Sequence, residues 1–147
     1  MSPSVPFTAA DPSEGIALYL KHDETVAFVT GGRVFRPELP KIEVKYMPRS
    51  CAIVRPAGGG NLVGSRDFLP VTDSRLDVVC YGSSRLEAES VARECARALK
   101  TLTLSKWGHA KLYWARIAGN PNSVIDPETN WPFAVVVTQV MHGIIAA

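Results

Sequence analysis

The chain has 147 residues, a length that suits one domain able to bury a core without disulfide or metal staples. Hydrophobic residues make up 46% and charged residues 20%, which excludes a compositionally disordered chain. Sixteen basic and fourteen acidic residues are interspersed and net to +2, so no Lys/Arg block marks a duplex-binding stripe.

Residues 1–10 contain Pro and Ser and read as a flexible arm. They lack the charged and apolar regions of a signal peptide. No apolar run approaches the ~20 residues that cross a bilayer, so a soluble protein made in a cytoplasm is expected. "DPSEGIALYLKHD" then opens a helix, with Asp11 as N-cap, Pro12 at the first helical position and Glu14 placed to complete a capping box. Ile16, Tyr19 and Leu20 share its apolar face. A shorter helix, "DETVAFVTGG", is ended by Gly31-Gly32.

The four prolines of "RVFRPELPKIEVKYMPRSCAIVRPAG" predict an extended, interrupted path. Cys51–Val54 reads as a short strand and Leu76–Tyr81 as a stronger one. On the latter, Leu76, Val78 and Cys80 face one way and Asp77, Val79 and Tyr81 the other. Arg85–Thr101 is the clearest helix. Ser84 and Glu87 form a capping box, and Leu86, Ala88, Val91, Ala92, Cys95 and Leu99 form an Ala-rich stripe suited to close packing on a sheet. Glu89 and Arg93 are spaced for a surface ion pair. Lys111–Ala118 and Phe133–Ile145 carry two further strand signals. The second would be about 43 Å long if straight, so a bend or bulge near Gly143 is expected. The connection "GNPNSVIDPETNW" reads as loop. The fold class expected is α+β, a mostly antiparallel sheet of about four to five strands with helices packed on one face.

Catalytic readings fare poorly. Gly59 and Gly64 have the G-x4-G spacing of a P-loop, but Ser65-Arg66 follows them and the segment leads into a strand, not a helix. "CYGSSRLEAE" is strand, turn and helix without G-x-S-x-G, so Ser84 is better explained as a cap. His22, His109 and His142 have no metal-ligand spacing; they read as a helix end, a turn and a strand face. Asp73 and Asp77 would share one strand face some 13 Å apart, too far for a coupled acid pair, and read as solvated. Cys51, Cys80 and Cys95 are odd in number, have no CxxC spacing and lie in apolar stretches, which predicts buried thiols. No catalytic residue, cofactor site or metal site is nominated.

Pro56–Pro70 is left, fifteen residues between two strands. Loops of that length inside a compact domain are usually functional or disordered. Glycine allows close approach to a neighbour, and Leu62, Val63, Phe68 and Leu69 are apolar beyond what a solvated linker needs. The candidate interface residues are Gly58, Gly59, Gly60, Asn61, Leu62, Val63, Gly64, Arg66 and Asp67.

The order of four segments resembles the tail-terminator (tail-completion) proteins of long-tailed bacteriophages and related prophage or gene-transfer particles. These are "TGGRVF" after the first helices, "MPRSCAIVRPAGGG", "RLDVVCYGSSRLEAESVARECARAL" and "DPETNWPFAVVV". The resemblance covers residues 12–146 and lies in order and spacing, not in a catalytic signature. It implies a single α+β terminator-like domain over 11–147, a structural virion protein and not an enzyme. Six copies would form a ring on the head-proximal end of the tail tube, stopping its growth and offering a surface for head–tail joining. The implied partners are further copies of the chain, the tail tube protein and the head–tail connector or stopper protein. No cofactor, membrane or sequence-specific nucleic acid is implied; DNA would only pass through the ring lumen. The implied place is the virion neck, after assembly in the host cytoplasm. Two alternatives stay open at this point: another neck component such as a head-completion or stopper protein, and a small cytosolic enzyme or ligand-binding domain.

Overall fold

A computed structural model describes residues 11–57 and 71–144. The elements in chain order are α1 (Pro12–His22), α2 (Glu24–Thr30), β1 (Val34–Phe35), α3 (Lys41–Val44), β2 (Cys51–Pro56), β3 (Val71–Tyr81), α4 (Arg85–Lys100), β4 (Ser105–Trp107), β5 (Ala110–Ala118), β6 (Ser123–Ile125) and β7 (Pro132–Ile144). The strands form one sheet in the order β1-β2-β3-β7-β5-β4, with β6 also paired to β7. All pairings are antiparallel except β1 with β2. The α+β class is as the sequence predicts. The strand count is seven among the described residues, not four to five. The extra three are pieces of two or three residues, too short to show a period of two.

β7 is the axis of the sheet. One edge pairs with β3 without a break from Phe133 to Gly143. The other edge is divided: β6 takes Pro132–Ala134, and β5 takes Val137–Ile144. The expected irregularity near Gly143 is not there. It lies across the ladder in β5, where the register shifts between Leu112 and Trp114. The extra residue lets β5 follow the twist while β7 stays in register with β3.

Alternation sorts the side chains. Leu76, Val78 and Cys80 of β3, Ala134, Val136 and Val140 of β7, and Ala110 and Leu112 of β5 join the helices in one buried cluster. α4 supplies Val91, Ala92, Cys95, Ala96, Ala98 and Leu99, and lies against β2, β3, β5 and β7. Its alanines permit that close approach. Leu86, assigned to the stripe by its spacing, is 76% exposed. It lies in the first turn, where α4 has only just come over the sheet. The cap is as expected at Ser84, whose Oγ accepts from Glu87 N at 3.2 Å. Glu87, however, reaches past the cap residue to Ser83 N (2.8 Å) and to the Ser50 hydroxyl (2.7 Å), so it ties the helix start to β2. Gly82 is forced by this junction: a Cβ there would lie 2.4 Å from Ala88 N.

α1 is capped by Asp11, which accepts from Ser13 N at 2.9 Å. Glu14 does not close a capping box. Its carboxylate accepts from His109 N at 3.2 Å, in the β4–β5 turn, because that turn lies beside the first turn of α1. Ile16 and Leu20 are fully buried, and the Tyr19 hydroxyl donates to Ala98 O at 2.6 Å. α2 ends at Gly31, in the left-handed region at φ 64, as the Gly31-Gly32 pair predicts. The three cysteines are free and buried. Burial pushes the Cys51 thiol up to about 11, and the neighbouring Cys95 with burial pushes Cys80 well above its usual range, so neither is a ready nucleophile.

Leu99 and Leu86 therefore separate core from surface on one helix. Leu99→Ala should cost about 2–5 kcal/mol, whereas Leu86→Ala should stay within about 0.5 kcal/mol of the parent in urea unfolding.

Candidate functional site

The loop nominated by the sequence, Gly58, Gly59, Gly60, Asn61, Leu62, Val63, Gly64, Arg66 and Asp67, lies outside the described residues. Its anchors are described. β2 pairs with β3 as far as Pro56 opposite Leu76, and Ala57 N donates to Arg75 O at 3.1 Å. The segment thus leaves and re-enters at one end of the sheet. That end is marked by the register row Thr72, His142, Leu112 and Ser105. The opposite end is marked by the row Cys51, Tyr81, Phe133 and Val124.

The two ends differ in chemistry. At the Cys51–Val124 end, Tyr81 stands edge-on to Trp131 with centroids 5.8 Å apart. Val124 and Ile125 of β6 are each 50% exposed, and Leu86 projects from the start of α4. Tyr46, 51% exposed, has the cations of Lys45 and Arg49 5.1 and 4.9 Å from its ring centroid. Polar ties hold these groups in place. Arg85 donates to Ser123 Oγ and Ser123 O, and Ser123 Oγ donates to Glu89 at 2.7 Å. Glu89 is therefore engaged by β6 and forms no ion pair with Arg93, contrary to the i,i+4 expectation. The bonds from Ser123 lower the Glu89 carboxyl below its usual value, and those from Ser83 and Ser50 do the same for Glu87. Connection residues 119–131, read from sequence as loop, thus include a strand whose apolar residues point outward.

At the loop end, ion pairs stand near an exposed apolar residue, Leu104, which is 57% exposed just before β4. Arg36 pairs with Asp11 at 2.8 Å, and Glu14 meets the His109 imidazole at 3.3 Å. On the sheet face away from the helices, Asp73 and Asp77 do share one side of β3 as expected. Asp73 is not solvated; it is 6% exposed and accepts from Gln139 Nε2 at 3.4 Å, because β7 crosses directly beside it.

The histidines stay apart. His22 ends α1 against the Trp107 ring, and His109 sits in the β4–β5 turn. His142 is buried on the helix side of β7 with its Nε2 2.8 Å from Ser74 Oγ. Asp73 lies on the other sheet face by register, so these three form no Ser-His-Asp array. Among the described residues no cluster of His, Cys, Asp and Glu could hold a metal, and no helix is long and apolar enough to cross a membrane.

Among solved structures, the fold is similar to a chain described as "virion of native gene transfer agent (GTA) particle". The TM-score is 0.64 at 12% identity, covering 89% of this chain and 93% of that one. A looser likeness, TM-score 0.47 at 11% identity, is to the bacteriophage SPP1 gp17 protein, covering 89% of this chain and 86% of that one. No protein-family model matches the chain, and no curated protein matches it in sequence. What is shared with the virion chain is the backbone arrangement, over nearly the full length of both.

Burial pushes the His142 imidazole below its usual 6.5, against the pull of the Asp73 and Asp11 carboxylates. The unfolded chain therefore binds this proton more readily than the folded one. Stability is full above pH 6.5 and falls as pH drops below it, by at most about 1.4 kcal/mol per pH unit. The shifted carboxyls Asp11, Glu14, Glu87 and Glu89 are all lowered from 3.8 or 4.5, so their losses come at more acid pH. Chemical denaturation between pH 7 and 5 should show this slope in the parent and a flatter profile in His142→Gln.

Proposed function

We propose that this protein is a structural component of a phage-like particle. In this reading it closes the head-proximal end of a tail tube as a ring of copies, most simply six. The observation that carries the reading is the fold shared with a gene transfer agent virion chain across 89% of this chain. The order and spacing of the four sequence segments support the narrower terminator role. So does a molecule with two chemically unlike ends, one presenting exposed Leu86, Val124, Ile125 and Tyr46, the other bearing the 58–70 segment.

Termination has a physical requirement. Head-to-tail contacts that do not close propagate without limit. A cap must match the tube rim on one side and must not repeat that rim on the other. Two different ends on one rigid sheet meet that requirement without any reacting group. Each subunit contact can be modest, because several linked contacts act together. The tail tube protein and the connector or stopper protein are the partners this role calls for, with DNA passing through the ring unread. The proposed place is the virion neck, assembled in the host cytoplasm. Residues Gly58–Asp67 are proposed to contact a neighbouring copy or one of those partners.

A particle lacking this protein should yield normal heads and separate tails, some abnormally long, in electron micrographs of the lysate. Normal-length tails on filled heads would rule out the terminator role. Normal-length free tails beside heads that leak DNA would instead mark a stopper. Deleting Gly59–Gly64 should leave the unfolding midpoint nearly unchanged, since closure entropy varies weakly with loop length, yet abolish complementation. Full complementation by the deleted protein would show that the loop is no interface.

A further inference from the structure

Among the described residues, the outer edge of β5 is open beyond β4. β7 pairs with β5 from Ala110 to Ala118, whereas β4 covers only Ala110–Leu112 on the other side. Among the described residues, Tyr113–Ala118 have no strand on their outer edge, a stretch of roughly 20 Å. The direction of its backbone groups can be assigned. Thr138 Oγ1 donates to Arg116 O at 3.0 Å, so that carbonyl faces β7. Backbone groups of successive strand residues point to alternate edges, which leaves the N–H and C=O of Ala115 and Ile117 pointing outward.

The side chains on this strand have one sign. "AKLYWARIA" contains Lys111 and Arg116 and no carboxylate. Register with Gly143, Met141 and Gln139 puts Lys111, Trp114 and Arg116 on the face away from the helices. The Arg116 guanidinium lies 5.0 Å from the Trp114 ring centroid. Lys106 of β4 is directly opposite Lys111, a like-charge pair that costs stability. Among the described residues none of these three cations has an ion-pair partner.

We propose that this edge accepts an extended segment of a different protein as an added strand, and that the segment carries carboxylates flanking an apolar residue. Main-chain bonds to Ala115 and Ile117 would give affinity. One carboxylate would face Arg116, the apolar side chain would cover Trp114, and the second carboxylate would approach Lys106 and Lys111. The pattern is acid, any residue, apolar, any residue, acid. Charge argues against a second copy as occupant. Two β5 edges paired antiparallel would bring Arg116 near its own counterpart. The opposite edge of the sheet, β1, is flanked in sequence by Arg33 and Arg36, and Arg55 lies in the adjoining β2. Residues 1–10 and 145–147 contain no Asp or Glu, and 58–70 contain only Asp67, beside Arg66. The proposal does not rest on whether the protein caps a tail tube.

The test is a titration of the full-length, isotope-labelled protein with the blocked peptide Thr-Glu-Thr-Val-Thr-Glu-Thr, followed by amide NMR. The expected result is saturable shifts and slowed hydrogen exchange at Ala115 and Ile117, with the Lys-for-Glu peptide at least tenfold weaker. Arg116→Glu, at an exposed side chain, should reverse that preference, and Ala115→Pro, which removes one outward N–H, should abolish binding. Equal binding of both peptides, silence of the edge amides at millimolar peptide, or concentration-dependent self-association through β5 would overturn the proposal. Should Ala115→Pro fail to fold, the charge reversal at Arg116 decides alone.

Discussion

Everything in this molecule hangs on a strand that cannot be left unpaired. β7 runs for 13 residues through the middle of the sheet, and each of its backbone donors and acceptors must find a partner or bear the cost of burial without one. β3 satisfies one edge with a single unbroken ladder. No single strand satisfies the other, so β5 and β6 divide it. That division determines the rest. β6 is pinned from above by Arg85 and Glu89 of α4, and the start of α4 is in turn tied through Glu87 to Ser50 beside β2. Three separate chain segments thereby meet at one end of the sheet.

The same strand sets the thickness of the core. Ala134, Val136, Thr138, Val140 and His142 alternate toward the helices, and the small residues among them meet the alanines of α4. Fully buried Leu99, Leu112, Val136 and Val140 each contribute about 1.5–3 kcal/mol by leaving water. His142 is the cost within this layer, a titratable ring kept neutral and bonded to Ser74 at the polar end. The free cysteines fill space as small hydrophobes, in keeping with their raised thiols.

The two ends of the sheet differ in the side chains they carry. Exposed Leu86, Val124 and Ile125 stand at the end where α4 begins, whereas the Arg36–Asp11 and Glu14–His109 pairs and the 58–70 attachment stand at the other. The helices cover one face and leave the other, with Arg75, Arg116 and Gln139, accessible at least in part.

The sequence by itself determined what depends on neighbours a few residues away. The N-caps at Asp11 and Ser84, the glycine stop at Gly31, the alternation in β3 and the length of β7 all follow from local chemistry and period, and each is present. Tertiary structure decided what depends on residues far along the chain. Glu14 and Glu89 have local partners within reach, yet bond to His109 and Ser123, 95 and 34 positions away, because the folded chain delivers those donors in better geometry. Leu86 fits the α4 stripe by spacing yet is 76% exposed, although Arg85 beside it reaches Ser123 and Ala88 in the same turn is buried. The β4, β6 and β1 pieces exist only as partners of longer strands, so their sequences carry no period of their own. The open edge of β5 is of the same kind: Tyr113–Ala118 read simply as strand, and among the described residues the short reach of β4 leaves their outward backbone groups without a partner strand.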